Sequence, residues 1–568
     1  MFSEYPTSLT ATPSHLLESA LTSAGLASDA VRGLPLLAEA ADRFTADYTS
    51  SLNACIFNLP LRELRDAASA RSDWYAGLSR AVSIDHAVAI ASREFQREIP
   101  GDSSASKFAR ITDPSFWKRY YSTNAKRAHE FAYIRAGFVS GAKERYVSDS
   151  TLRLYRNYRE SQQQFLNSYY VVDRKPNALG EHSRRLLVDL AKSEEAKRAK
   201  LWAFLSGIEQ LSVEAGLSCA LLTLTLPACF HANPMSGGSS YDGVSTPQNG
   251  GRHLAMLWNK IQRDLDNDGI AVSGARFVEP HKDGTPHWHL WLHYQEAHLH
   301  RILSVIARYF PGDASKRVAA VRVRTVEAAP RGKLCNKKDG SRFTECFQRF
   351  DPSTGSLHPA SARFKAQVDL SIINRAYANG ATYASKYAMK TLQPGEGSEA
   401  ERVAASRWIW RLRSFAFFGI RNCLGAWDEL YRAKEVPTNI TVRALFDAVH
   451  EKPGKHTKHI RNRATGKVEV IEVEGGTAAF LRLQGGLAAA DGLVPSDRIR
   501  VSLLYKPRIN RYGDAVRVKV GLMVACDGEY LYSAKTREPG RFVLLSERNI
   551  DAAIASLAPF DPDPFLSV

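Results

Sequence analysis

The sequence predicts an α+β protein in three parts: a mainly helical N-terminal region, a central antiparallel-sheet domain with flanking helices, and a small β-rich C-terminal region. Three observations predict it. Apolar residues recur three and four apart through residues 1 to about 210, which is the helical period. Short β-branched runs then interleave with helical ones as far as about residue 435, the pattern of a sheet with helices packed on it. From about 440 onward, runs such as KVEVIEVEG, AVRVKVGLMVAC and GEYLYSAKTREPGRFVLLS alternate like small hairpins. The boundaries fall at 1–210, 211–435 and 436–568. A division of 568 residues at about 150 per domain suggests three or four domains.

Composition narrows the function before any motif is read. Hydrophobic residues make up 44% and aromatics 10%, enough for several buried cores, so a disordered chain is excluded. Lys and Arg number 76 against 59 Asp and Glu, a net charge of +17. An excess of that size points to a polyanion, either nucleic acid or an acidic membrane surface. Seven cysteines without a CxxC pair exclude a disulfide framework and a zinc ribbon. The opening stretch MFSEYPTSLTATPSHLL carries an early acid and no basic-then-apolar segment, so a signal peptide is not expected. No apolar run approaches the roughly 18 residues of a membrane span. The expectation is a soluble, cytoplasmic, basic protein with no membrane partner.

Along the chain, HLLESALTSAGLASDAVRGLPLLAEAADRF and SRRLLVDLAKSEEAKRAKLWAFLSGIEQL read as amphipathic helices. Between them, residues 113–160 interleave Phe116, Trp117, Tyr120, Tyr121, Tyr155 and Tyr158 with many Lys and Arg. Aromatic platforms beside cations suit single-stranded nucleic acid. An amphipathic bundle with its aromatics inside produces the same pattern, and it is the preferred reading for most of them. In the central part, CALLTLTLPACF reads as a buried strand and HLAMLWNKIQRDLDNDGI as a helix. GARFVEP and HWHLWLH read as two strands joined by a short KDGT turn. A helix (HLHRILSVIARYF), two strands (RVAAVRVRTVE and RFKAQVDLSI) and a helix (ATYASKYAMKTL) complete a ferredoxin/RRM-like arrangement. Residues 301–350 hold 12 Lys and Arg against 4 Asp and Glu, a groove for a phosphate backbone or a solvated basic loop.

The chemistry concentrates in HWHLWLH. Strand alternation sends His287, His289, Trp291 and His293 to one face and Trp288, Leu290 and Leu292 to the other. Two His at i and i+2, backed by an apolar face, form a ready pair of metal ligands. Glu279 on the preceding strand joins them only if the hairpin loop has odd parity. A two-residue Asp283-Gly284 loop sets it opposite Trp288; a three- or five-residue loop, or a bulge at Gly284, sets it opposite His287 or His289. Pro280 and Pro286 flank the turn and favour the odd loop. Two imidazoles and a carboxylate leave positions open for water and a phosphate oxygen, which suits Mg²⁺ or Mn²⁺. A structural zinc would need a fourth protein ligand, for which His281 and His293 are the candidates.

The second element is YASKYAMK. Tyr383 and Tyr387 lie four apart on one helix face, with Lys386 and Lys390 three residues after each. Such a pair is usually core packing. Downstream of a metal motif, and with cations to stabilise a phenolate, it reads as a pair of nucleophiles; Tyr377 is the reserve.

The stretch EPHKDGTPHWHLWLH followed by TYASKYAMK resembles the His-hydrophobic-His endonucleases that start rolling-circle replication. Its wording is closest to the replication gene A proteins of temperate tailed bacteriophages and prophages. TLTLP, ERVAASRWIWRLRSF and GAWDELYRA extend the likeness over residues 110–435, with weaker echoes in FWKRYY and RYVSD. MKTLQPGEG and a longer 311–362 stretch depart from the pattern. The resemblance implies a site- and strand-specific nickase acting on single-stranded origin DNA in a bacterial host. Tyr383 or Tyr387 would attack the scissile phosphate, leaving a 5′-phosphotyrosine and a free 3′-hydroxyl. No nucleotide cofactor is implied, and no GxxxxGK[ST] loop is present. A host helicase and polymerase would be the partners. A transposase or relaxase of the same superfamily, or a non-enzymatic DNA-binding protein, is the alternative.

Overall fold

The computed structural model of the chain describes residues 63–557, apart from positions 82, 96, 236–238, 314, 316, 337–338, 393–397, 422, 462–467 and 492–498. The helical run at 15–44 and most of the LQPGEG segment lie outside the described residues. Two compact units emerge, Met1–Tyr133 with Lys506–Val518, and Ile134–Tyr505 with Lys519–Val568.

Among the described residues, the first unit is built on four helices: α1 (Leu64–Ala81), α2 (Ile84–Glu94), α3 (Ser104–Ile111) and α4 (Pro114–Arg135). Ser83 and Ser103 cap α2 and α3 by accepting from backbone amides three residues on. The aromatics of α4 point inward. Trp117 and Tyr121, four apart, are fully buried, and Trp117 stacks on Tyr75 at 5.3 Å. These rings are therefore core, because i, i+4 spacing stacks them on the face that α1 and α2 cover. At the centre, the buried Glu94 carboxylate accepts from Arg71 at 2.7 Å, Tyr75 at 2.6 Å and Tyr121 at 2.7 Å. Burial, followed by the Glu94 charge, pushes both phenols well above their usual pKa. Glu94→Gln should lower the stability of this unit by about 3–5 kcal/mol, because it leaves the Arg71 guanidinium buried against a neutral partner. Urea unfolding followed by tryptophan fluorescence checks this.

The second unit holds the sheet. Its helices α5 (Asp149–Ser168) and α6 (Glu194–Glu214) precede strand β1 (Ser218–Leu224), and α7 (Pro247–Asn267) follows it. A Thr246–Asn249 capping box with Pro247 in the first turn starts α7. Then come β2 (Ser273–Pro280), β3 (Pro286–Tyr294), α8 (Leu299–Tyr309), β4 (Val318–Ala328), β5 (Arg342–Asp351) and β6 (Lys365–Ile372). Helices α9 (Gly380–Leu392) and α10 (Glu399–Trp410), strand β7 (Phe415–Phe418), and helices α11 (Cys423–Arg432) and α12 (Ile440–His450) complete it. The strand order is β7-β2-β3-β1-β6-β4-β5, extended by Leu334–Cys335 and by Ser356–Pro359 beside β5. The nine-stranded sheet is mixed. All its neighbours run antiparallel except β6 and β4, which are parallel. The 311–362 stretch builds its far edge.

Each face of the sheet has its own core. Trp288, Leu290, Leu292 and Tyr294 pack with Leu254 and Ile261 of α7 and Ile302 and Ile306 of α8. On the opposite face, Trp291 and Phe277 pack with Phe204 of α6 and Ala384 and Ala388 of α9. Val442 and Leu445 of α12 and Phe480 and Leu522 further on belong to that same core, so residues beyond 435 help to cover the central sheet. Smaller sheets lie outside it. Gly454–Arg461 pairs with Val468–Gly475, and Arg500–Ile509 and Glu529–Lys535 flank Ala515–Cys526. Tyr169–Asp173 pairs with both Arg184–Leu186 and Phe542–Ser546. The SRRLL segment thus starts as a strand where its apolar spacing suggested helix, because Tyr169–Asp173 supplies its ladder and is itself paired on its other edge with Phe542–Ser546.

Candidate active site

Strand β3 sits between β2 and β1, so both its edges are hydrogen-bonded and all nine residues are buried. This makes it a rigid platform for side chains. Its loop to β2 spans residues 281–285, since Pro280 faces Pro286 and Glu279 faces His287. The odd, five-residue loop puts the carboxylate on the imidazole face. Gly284 takes a φ of +86° in the turn, where a side chain would be strained. Asp283 pins the loop by accepting from the Thr285 amide at 3.0 Å and pairing with His231 Nδ1 at 3.0 Å.

The Nε2 atoms of His287 and His289 lie 2.8 Å apart, and a Glu279 carboxylate oxygen lies 3.5 Å from His289 Nε2 and 4.0 Å from His287 Nε2. The Thr223 hydroxyl, 3.0 Å from His289 Nδ1, fixes that ring so that Nε2 faces the carboxylate. Two imidazole lone pairs this close repel unless a proton or a cation lies between them. The donor set of two nitrogens and one carboxylate oxygen fits a divalent cation. Behind Glu279, the buried Arg407 donates to the Val278 carbonyl at 3.5 Å. Burial pulls its guanidinium down to about 10 and the Glu279 charge pulls it back up.

The other histidines separate. His281 packs its ring 4.1 Å from that of His287, and burial, then His231, push its pKa down to about 4. His293 lies at the far end of the strand, fully buried beneath α6 and α9, in a group with Glu209 and Cys219. The His287 end opens to a cleft of about 1110 Å³, whose lining includes Tyr146, His231, Asn233, Glu279, His281 and His287.

Helix α9 starts at a turn where Asn379 Oδ1 accepts from the Thr382 amide at 3.0 Å. It carries Tyr387 to within 4.1 Å of the His289 ring, centroid to centroid, with Tyr383 one turn away at 6.5 Å. Lys386 lies over the face of the Tyr383 ring, 4.9 Å from its centroid, rather than at a hydroxyl; the Lys390 side chain is outside the described residues. The cation at the Tyr383 hydroxyl is Arg324 of β4, whose Nη2 donates to it at 3.3 Å. Arg324 is held by Ser371 at 2.7 Å and Glu345 at 3.0 Å. Sequence reading missed it, although the alternation of VRVRT puts Arg322 and Arg324 on one strand face. Burial, then Tyr383 and Glu279, push the Tyr387 phenol up to about 12, and Arg324 opposes them. Tyr377 packs against Phe343 at 5.2 Å.

The fold and the site together define a class: a mixed-sheet protein in which one inner strand presents a His-x-His pair, and the strand beside it a carboxylate, to a helix bearing two tyrosines. The chain belongs to the bacteriophage replication gene A protein (GPA) family, whose sequence profile matches residues 37–356. It is 25% identical over 441 residues to the probable replication protein P12 of Pseudoalteromonas phage PM2, covering 75% of this chain and 58% of the relative. It is also 25% identical over 435 residues to the replication gene A protein of Escherichia phage 186, covering 73% of this chain and 52% of that one. A probable replication endonuclease from a prophage-like region of Salmonella typhi is 24% identical over 330 residues, 58% of this chain and 37% of the relative. The chain thus spans little more than half the length of the first two. No solved structure matches it. No helix among the described residues is long and apolar enough to cross a membrane.

Proposed function

We propose that the protein initiates rolling-circle replication of a phage or prophage by nicking one strand of its origin and holding the 5′ end on a tyrosine. The observation that carries this reading is the convergence of His287, His289 and Glu279 beside the Tyr387 ring. Residues 211–435 carry the chemistry, and single-stranded origin DNA enters the cleft beside His287. His287, His289 and Glu279 would hold a Mg²⁺ or Mn²⁺ ion, which would supply Lewis-acid polarisation of the scissile phosphate. The Tyr387 oxygen forms a new bond to phosphorus as its proton leaves, and the bond to the 3′ oxygen breaks. That oxygen takes up a proton and departs as a free 3′-hydroxyl, the primer for a host polymerase behind a host helicase. Because one ester replaces another, no nucleotide is consumed. Tyr383, one turn away, receives the second strand transfer, with Arg324 stabilising its phenolate. Lys386 and Lys390 add positive charge along the helix. The setting is the bacterial cytoplasm.

The test is a covalent adduct between the protein, given divalent metal, and single-stranded oligonucleotides of the encoding replicon; a protein that binds DNA without ever forming one would fit the non-enzymatic alternative. Arg324→Ala should slow the tyrosine-383-dependent transfer by about 10²–10³-fold, the usual loss when a charge-stabilising donor is removed from a reacting oxygen. Arg324→Lys should recover part of it. Equal rates for Arg324→Ala and the unaltered protein in a two-step strand-transfer assay would remove Arg324 from the mechanism.

A further inference from the structure

Beneath the nicking site lies a second group of ligand-type side chains from three different elements. Glu209 of α6, Cys219 of β1 and His293 of β3 bring ligand atoms within 4.8 Å of one another, and all three residues are buried. Among the described residues it is one of two such groups, the other being the His287, His289 and Glu279 set.

The surroundings are built, and they are incomplete without a ligand. His293 has no solvent exposure, yet neither ring nitrogen has a hydrogen-bond partner. Leaving one such buried group unsatisfied costs roughly 1–3 kcal/mol, so two on one ring call for an explanation. Burial holds the imidazole neutral, its pKa pushed down to about 3, so at least one nitrogen offers a lone pair. The Glu209 carboxylate is divided. Oε1 accepts from Arg375 Nε at 3.1 Å and from the Gly380 amide at 3.2 Å, whereas Oε2 is buried with no hydrogen-bond partner. Arg375 is itself fixed by Ser212 at 2.7 Å and by the Leu217 carbonyl. The Trp291 indole donates to Cys219 Sγ at 3.1 Å, a contact that favours negative charge on sulfur. Gly380 completes the enclosure. A Cβ there would lie 2.7 Å from Glu209 Oε2 and 3.0 Å from Cys219 Sγ, so any side chain at this position would press on both ligand atoms.

We propose that Glu209, Cys219 and His293 bind a zinc-class divalent ion that clamps α6, β1 and β3 together at the start of the tyrosine helix. The thiolate and the carboxylate, the latter also partnered by Arg375, offset its charge, and the imidazole supplies the neutral donor; a soft sulfur with nitrogen selects zinc over Mg²⁺ or Mn²⁺. Binding releases the Cys219 proton to solvent, and no redox change occurs. Three protein ligands leave one tetrahedral position for an enclosed water, so the site differs from the closed four-ligand sites usual for structural zinc. The role is positional. Through the Gly380 amide on Glu209, the ion anchors the first turn of α9 and so the distance from Tyr387 to His289.

The chemistry of the two sites separates their tests, because only this one contains sulfur. Full-length protein loaded with Co²⁺ should show a near-ultraviolet thiolate-to-cobalt charge-transfer band. Cys219→Ser should lose that band and its share of bound Zn²⁺, measured by atomic emission, while still binding Mn²⁺. The double variant His287→Ala/His289→Ala should keep the band and lose Mn²⁺. Circular dichroism confirms that each variant is folded, and the spectrum of the unaltered protein decides even if Cys219→Ser is not. Absence of the band in Co²⁺-loaded unaltered protein, or its persistence in Cys219→Ser, overturns the proposal and leaves the nicking site untouched.

Discussion

Tyr387→Phe should abolish the first covalent adduct on an origin oligonucleotide, whereas Tyr383→Phe should still form it and fail at the second strand transfer. The asymmetry follows from placement. Tyr387 lies against the His289 ring, and Tyr383 sits one turn back beside Arg324. Four residues of helix rise about 6 Å and bring two side chains round to nearly the same direction, so each hydroxyl reaches the same phosphate only in turn. The double Phe variant should form no adduct and still bind DNA, since no charge is removed. Phe fills nearly the same volume, so a purely structural pair would give variants that behave like the unaltered protein. A one-tyrosine enzyme would leave Tyr383→Phe competent in cutting and rejoining. Adduct formation by the double variant sinks the assignment of both nucleophiles.

His287→Ala and His289→Ala should each slow nicking by at least about 10³-fold at fixed Mn²⁺, the scale on which a site loses its main electrostatic stabilisation of a transition state. Affinity for the oligonucleotide should change little, because contacts of Lys and Arg with phosphates dominate it. The two losses should differ in their response to metal. His289 is oriented by Thr223 and lies closer to Glu279, so its removal should be harder to rescue with high Mn²⁺. Nicking assays run across a Mn²⁺ series, alongside a binding titration, check both halves. A variant that nicks at the unaltered rate shows that the histidines are not the metal ligands.

Much of this site was legible in the residues because its geometry is local. Period-2 alternation in HWHLWLH decides which side chains share a face wherever the strand lies, and period-3.6 spacing does the same for Tyr383 and Tyr387. The motif spacing also carried the family likeness, and the match over residues 37–356 includes the His-x-His strand though not the tyrosine helix.

The sequence by itself therefore determined the class of fold, the two faces of the central strand and the shared face of the tyrosines. Tertiary structure decided between the odd loops that Pro280 and Pro286 both allow, and so set Glu279 opposite His287 rather than His289. It decided that Arg324, 59 residues before Tyr383, rather than the neighbouring Lys386, meets the hydroxyl. It parted His293 from His287 and His289, since α6 and α9 cover one end of a strand face and leave the other to the cleft. It also brought α12 and residues near 480 and 522 into the core over that face. The reason is common to all four. Alternation along one element is fixed by backbone geometry, whereas what covers a face depends on elements distant in the chain, and their docking is decided by the packing of the whole core.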